Sequence, residues 1–96
     1  MEVLLTYDVS TETAAGRRRL RRVAKACQAF GQRVQKSVFE CIVSDVDLET
    51  LKHRLIQEID EHEDSLRIYR LREPRERYLQ VIGQKPKYDL DDPLVL

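Results

Sequence analysis

The chain has 96 residues, of which 42% are hydrophobic and 35% charged, and its formal net charge is zero. This composition argues against a disordered chain and predicts one small domain with a strongly charged surface. No apolar segment reaches the length of a transmembrane helix, and the first residues lack the pattern of a secretory signal. We therefore expect a cytoplasmic protein with no membrane partner.

Hydrophobic periodicity predicts alternating strands and helices. Residues 2–8 are typical of a buried strand, and residues 14–29 of a helix that Gly31 ends. Residues 33–44 predict two short antiparallel strands with a bend near residues 35–37, although one long bent strand fits the same pattern. A second helix is capped by Asp45 or Asp47 and ends near residue 59. An acidic, solvated turn follows at residues 60–64, and then a strand at residues 66–71.

The order β-α-β-β-α-β predicts a ferredoxin-like α+β fold, in which both helices cover one face of an antiparallel sheet. A further strand is predicted at residues 78–82, after the fold is complete, so it needs another sheet edge. The edge of a second copy would meet that need and join two chains in a homodimer. We assign residues 1–83 to the domain, including this strand, and residues 84–96 to an extended tail.

Charge is strongly segregated along the chain. Residues 17–36 hold eight basic side chains and no acidic one, whereas residues 45–64 hold eight acidic side chains and two basic ones. Screening confines a field to about 8–10 Å at physiological salt, so a neutral protein can still present a basic face. The basic residues suit the phosphates of duplex DNA or RNA without reading base sequence, although ordinary solvated helix faces would show the same pattern. The candidate nucleic-acid-binding residues are Arg17, Arg18, Arg21, Arg22, Lys25, Arg33 and Lys36.

Asp8 ends the first apolar strand, and a carboxylate held by a sheet is suited to a hard cation such as Mg²⁺ or Mn²⁺. One carboxylate makes a poor site, but a two-fold dimer that brings two Asp8 side chains together would supply two. In this hypothesis Asp8 is the metal ligand and the catalytic residue, and the cation activates water. The alternative is that Asp8 only caps the following turn or helix.

Three segments occur in order: Tyr7-Asp8-Val9-Ser10, then Gly16-Arg17-Arg18-Arg19-Leu20-Arg21, then Gln35-Lys36-Ser37-Val38-Phe39-Glu40. With them the chain resembles the CRISPR-associated Cas-two family, and most of all its type I-C members. The resemblance implies a ferredoxin-like homodimer, a metal-dependent nuclease activity on RNA or DNA, and partnership with the Cas-one integrase in spacer acquisition. It matches Asp8 to the family's metal-binding aspartate. Cys41 stands where many members have glycine.

Tyr7, Ser10 and Phe39 are candidates for supporting roles. Ser10 either hydrogen-bonds the Asp8 carboxylate or caps the helix, and Phe39 either stacks on a base, braces the metal region or packs in the core. Neither His53 nor His62 is well placed as a general base, so we expect slow catalysis. Cys27 and Cys41 fit no zinc spacing and are expected to be free thiols.

Two functions compete on these residues. The first is a slow, Mg²⁺-dependent endonuclease that also binds duplex DNA and the integrase in antiviral defence. The second is a non-catalytic DNA-binding scaffold of the integrase complex, in which Asp8 is structural. A small-molecule-sensing domain and a ribonuclease toxin of the same fold rank behind both. We expect the integrase to contact the segment from Tyr78 onward.

Overall fold

The computed structural model describes residues 1–84. Its elements are β1 (Glu2–Asp8), α1 (Ala14–Gln28), β2 (Gly31–Gln35), β3 (Val38–Ile42), α2 (Asp45–Glu58), β4 (Ser65–Leu71) and the short α3 (Arg75–Tyr78). The first six follow the predicted order β-α-β-β-α-β. The two-strand interpretation of residues 33–44 is confirmed, because β2 and β3 form an antiparallel pair with a register shift between Arg33 and Gln35.

The four strands form one antiparallel sheet in the order β2-β3-β1-β4. Residues alternate along β1: Val3, Leu5 and Tyr7 are buried in the core, whereas the intervening side chains point to the opposite face. The core contains the buried residues of both helices, so α1 and α2 cover one face and leave the other open. The ferredoxin-like α+β fold is thereby confirmed, and Asp8 lies at the end of the row of β1 residues on the open face.

Helix α1 separates apolar from basic residues. Thr13 caps it by accepting a hydrogen bond from the backbone N–H of Gly16, and Leu20, Val23 and Cys27 face the core. The helix is capped at its C-terminus by Ala29, so the assignment of Gly31 as its stop is wrong. Gly31 instead begins β2, where a Cβ atom would lie 2.3 Å from Cys41 Sγ and 2.6 Å from the carbonyl oxygen of Glu40. Its lack of a side chain allows close pairing with β3.

Helix α2 buries Leu48, Leu51 and Leu55 against the core. Its N-cap is Ser44, whose hydroxyl accepts from the backbone N–H of Asp47 at 3.1 Å, and neither predicted aspartate serves as the cap. Asp45 and Asp47 lie in the first helical turn instead, where a negative charge interacts favourably with the helix dipole.

The strand predicted at residues 78–82 is not formed within one chain. Tyr78 ends α3, and residues 79–82 pair with no strand among the residues that the structure describes. The sheet of one chain ends at β2 and β4, and residues 79–82 pair with neither of these edge strands in the described part of the chain. Arg75 holds α3 against the open face of the sheet through Glu2 at 3.7 Å and Glu40 at 3.4 Å. The tail assigned to residues 84–96 lies outside the described residues from position 85 onward.

Within residues 1–84, none of the helices has the length and apolar character that a membrane-spanning segment needs.

Candidate metal and nucleic-acid site

Asp8 is an exposed residue at the C-terminal end of β1, opposite Ser65 of β4. Its carboxylate makes no hydrogen bond or ion pair with any residue in the described part of the chain. The cap of α1 is Thr13, so the alternative that Asp8 caps this helix is wrong. A fixed backbone and an unused carboxylate leave Asp8 available to a ligand.

Several elements meet at this end of the sheet. The backbone N–H of Tyr7 donates to the carbonyl of Ser37 at 3.1 Å, which places the turn between β2 and β3 beside the end of β1. Lys36 lies in that turn and is exposed. Helix α1 begins six residues after Asp8, so its first turns, with Arg17 and Arg18, belong to the same end of the molecule.

Most of the predicted basic residues lie on the surface of α1. Arg17, Arg18, Arg22 and Lys25 are exposed, and Arg21 is half-buried. Two of them are partly engaged within the protein. Arg17 donates a hydrogen bond from its guanidinium to the carbonyl of Thr11 at 3.1 Å, and Arg22 lies 3.9 Å from Glu58 with 64% of its side chain exposed. We define the basic surface as the side chains of Arg17, Arg18, Arg21, Arg22 and Lys25 on α1, with Lys36 in the nearby turn.

Arg33 does not belong to this surface, and its assignment as a nucleic-acid contact is wrong for the folded chain. It is only 5% exposed, because its position on β2 pairs with Phe39 and faces the helices rather than solvent. Its guanidinium carbon lies 5.2 Å from the centre of the Phe39 ring, a cation–π distance. The positive charge of Arg33 is therefore enclosed on the helix-covered side of the sheet and is not presented to solvent.

Tyr7 and Phe39 are core residues beneath the Asp8 end of the sheet. Their ring centroids lie 6.2 Å apart in a stacked arrangement, and Phe39 is completely buried. Burial raises the pKa of the Tyr7 phenol above its ordinary value, although the nearby Arg33 partly opposes this effect. Of the proposed roles of Phe39, stacking on a base is therefore excluded in this conformation, and core packing is confirmed.

Arg19 and Asp64 form a buried ion pair that the sequence pattern did not reveal. Arg19 Nε donates to Asp64 Oδ2 at 2.8 Å, and the Asp64 side chain is completely excluded from solvent. The interpretation of residues 60–64 as a solvated turn is therefore wrong for Asp64. Two features of the sequence could have indicated this ion pair. At 100° per residue, Arg19 lies outside the arc of α1 that the other basic residues share, and Asp64 immediately precedes a strand.

Ser10 is linked to this pair rather than to Asp8 or to the helix. Its backbone N–H donates to Asp64 Oδ1 at 3.0 Å, and the backbone N–H of Asp60 donates to Asp64 Oδ2 at 2.9 Å. The Ser10 side chain does not cap α1, since Thr13 is the cap, and it makes no hydrogen bond to Asp8 in the described chain. Ser10 acts instead through its backbone N–H.

The ion pair predicts how stability depends on pH. Burial alone would raise the pKa of Asp64, but hydrogen bonds from Arg19, Asp60 and Ser10 outweigh it and hold the pKa below its ordinary value of 3.8. Below that value the unfolded chain binds a proton that the folded chain resists, so the free energy of unfolding should fall as the pH drops below about 4. Urea titrations between about pH 2.5 and 6 should show a steeper loss for the wild type than for Asp64→Asn. Parallel curves would contradict this assignment.

The residues of one chain fit a divalent cation only in part. In residues 1–84 no group of three or more His, Cys, Asp and Glu side chains is arranged to hold a metal. Asp8 supplies one hard oxygen ligand, so a complete site needs further ligands from a second chain, water or phosphate. His53 and His62 are exposed on α2 and in the turn after it.

The cysteines are free and buried, as expected. Burial raises the pKa of Cys27 to about 12 and also raises that of Cys41. Both remain protonated thiols at neutral pH, which makes them poor metal ligands and nucleophiles.

Comparison with known proteins agrees with this architecture. The profile of the family described as "CRISPR associated protein Cas2" matches residues 1–78. A relative from Moorella thermoacetica, "CRISPR-associated endoribonuclease Cas2 1", is 64% identical over 96 residues, with 100% of both chains covered. A relative from Halalkalibacterium halodurans, "CRISPR-associated endonuclease Cas2", is 57% identical over 95 residues and 99% of both chains.

Solved structures show the same similarity in three dimensions. The crystal structure of Streptococcus pyogenes Cas2 at pH 6.5 superposes with a TM-score of 0.78 and is 55% identical, covering 86% of this chain and 100% of that one. A protein of Thermus thermophilus, TT1823, gives a TM-score of 0.73 at 30% identity, over 90% of this chain and 94% of that one. The chain belongs to the CRISPR-associated Cas2 family.

Proposed function

We propose that the protein is a homodimeric, Mg²⁺-dependent endonuclease that hydrolyses phosphodiester bonds of DNA or RNA in CRISPR-based antiviral defence. The observation that carries this proposal is the exposed Asp8 carboxylate, which has no partner in the described chain and lies at the same end of the fold as Arg17 and Arg18, where the basic surface begins. The names of the relatives, endoribonuclease and endonuclease, support a nuclease and leave its preferred nucleic acid open.

The open face of the sheet supports the homodimer that we propose. Ile42 and Tyr69 expose 64% and 43% of their surface there, and no helix longer than α3 covers them in the described chain. A second copy would bury this apolar surface and bring another Asp8 carboxylate. Two hard carboxylates, with water and phosphate oxygens, are a suitable ligand set for Mg²⁺ or Mn²⁺.

In this proposal the basic surface and Asp8 have separate roles. The arginine forks of the basic surface bind phosphate oxygens and position the strand, while Asp8 of each protomer would hold the cation. When bound, the cation supplies charge stabilisation and activates water. With no histidine assigned as a proton acceptor, we expect cleavage to be slow and to rise with pH as hydroxide becomes available.

The same molecule is proposed to bind duplex DNA and the Cas-one integrase during spacer acquisition. We place the integrase contact on the segment from Tyr78 onward, because Val81 and Ile82 expose 64% and 92% of their surface. The two protonated thiols are consistent with a reducing cytoplasm.

A non-catalytic scaffold is the second candidate. The incomplete metal site favours it, because the described residues of one chain hold no cluster of three or more potential metal ligands. In that function the basic surface alone matters, and Asp8 is dispensable for complex formation and spacer integration.

Cleavage assays distinguish the two candidates. Matched duplex DNA, single-stranded DNA and RNA are incubated with the wild-type protein in Mg²⁺, Mn²⁺ or EDTA. We expect slow cleavage of at least one of them in either metal and none in EDTA. A protein that cleaves nothing yet shifts duplex DNA in a gel would support the scaffold and overturn the nuclease.

A further inference from the structure

The loop between β1 and α1 begins directly after Asp8, and the backbone of Ser10 in this loop is constrained at both its N–H and its carbonyl. The N–H of Ser10 donates to Asp64 Oδ1 at 3.0 Å. On the other side, a Cβ atom at Gly16 would lie only 2.0 Å from the Ser10 carbonyl oxygen, so the first turn of α1 packs directly against it. The backbone of Ser10, two residues beyond Asp8, therefore has little freedom to move.

Asp64 links three parts of the fold through one carboxylate. Oδ2 accepts from Arg19 Nε of α1 at 2.8 Å and from the N–H of Asp60 at 2.9 Å, while Oδ1 accepts from Ser10. Arg19 is further held by Glu63 at 3.1 Å. Because the Asp64 side chain has no solvent exposure, water cannot replace these bonds when the carboxylate is changed.

The backbone of Asp64 reaches Asp8 from the other side. Asp64 directly precedes Ser65, and Ser65 pairs with Asp8 across the two strands. The strand neighbour of Asp8 and the loop that follows Asp8 are thus both tied to the same buried side chain. A displacement of Asp64 would therefore shift both Ser65, the strand neighbour of Asp8, and the loop that follows Asp8.

We propose that Asp64 is a positioning residue for Asp8, which sets the backbone around the metal ligand without itself contacting metal or nucleic acid. This inference rests on the proposed nuclease function. It separates Arg19 from the basic surface: Arg19 serves Asp64, and its neighbours on α1 serve the phosphates. An error of about 1 Å at a reacting group can cost about 100-fold in rate, so tight support of Asp8 matters for catalysis rather than for binding.

The test uses full-length Asp64→Asn. Asparagine keeps one acceptor oxygen but replaces the other with an NH2 group, which cannot accept the hydrogen bonds that the neighbouring groups donate. Gly16→Ala is a second variant that displaces the Ser10 carbonyl without altering Asp64. The control is Leu55→Val, which removes packing of a buried α2 side chain against the core. The decrease in melting temperature is measured for this variant and for the two test variants, and the three values are compared. All proteins are assayed well below their melting temperatures.

Three quantities are measured: the cleavage rate at saturating nucleic acid, the dissociation constant of the nucleic acid, and Mn²⁺ binding by paramagnetic broadening of amide signals near Asp8. For Asp64→Asn and Gly16→Ala we expect cleavage to slow about 10–100-fold and Mn²⁺ binding to weaken, with nucleic-acid affinity unchanged within about twofold. Leu55→Val should keep the wild-type rate per folded molecule.

The inference is overturned if Asp64→Asn and Gly16→Ala match Leu55→Val in rate and Mn²⁺ binding while the wild type remains active. It is also overturned if both variants lose nucleic-acid affinity in proportion to rate. If the wild-type protein itself neither cleaves nucleic acid nor binds Mn²⁺, the proposed nuclease function is contradicted, and this inference is overturned together with it. That result is distinguishable from the two above, in which the wild type remains active.

Discussion

Replacement of Asp8 by asparagine should reduce metal-dependent cleavage about 100-fold or more, which corresponds to about 3 kcal/mol of lost transition-state stabilisation. The reason is that asparagine keeps the size of the side chain and removes the charge that attracts a hard cation. Asp8 is exposed and makes no hydrogen bond or ion pair in the described chain, so the change should leave folding intact. Initial rates in Mg²⁺ and Mn²⁺ measure the effect, and the melting temperature checks the fold.

Asp47→Asn is the matched control, because Asp47 is also an exposed aspartate and lies on α2. It should cleave at the wild-type rate. Binding of duplex DNA by Asp8→Asn should persist, since the basic surface is unchanged. Equal cleavage by Asp8→Asn and the wild type, in preparations free of contaminating nuclease, would remove Asp8 from catalysis and favour the scaffold. In that case spacer integration with the Cas-one integrase should also survive the substitution.

The double variant Arg18→Gln/Lys25→Gln should weaken duplex binding about 10–100-fold at low salt without altering the fold. Both side chains are exposed on α1, and neither makes a hydrogen bond or ion pair within residues 1–84. Each phosphate contact releases counterions, so two lost contacts should lower the slope of log K against log salt by about 1.8. Gel-shift or anisotropy titrations between about 50 and 200 mM salt give this slope.

Lys52→Gln/Arg54→Gln removes the same charge from α2 and serves as the control. If only net charge mattered, both double variants would weaken binding equally; a local basic surface predicts that the α2 variant keeps the wild-type slope. An α1 variant with unchanged slope would show that these residues are ordinary solvated charges. Comparison on several duplex sequences should reveal weak sequence preference, because phosphate contacts carry no base information.

The sequence by itself predicted the order and approximate bounds of six elements, since the hydrophobic periods of β1, α1 and α2 match the faces that the fold buries. It also predicted Asp8 at a strand end and the basic arc of α1. These features depend on local repeats of about two or 3.6 residues, which can be read along the chain.

Only the tertiary structure separated the basic residues by role. Arg33 and Arg19 have the same side chain as Arg18, yet one lies beneath the sheet against Phe39 and another pairs with buried Asp64. The partner of Arg19 is 45 residues away in the sequence, and the Ser10 amide reaches Asp64 across 54 residues. Similarly, residues 79–82 have the composition of a strand but pair with neither edge strand, β2 or β4, within the described chain. Periodicity shows which side of an element faces the core, whereas the choice of partner for a charge or a strand edge depends on which elements the fold brings together.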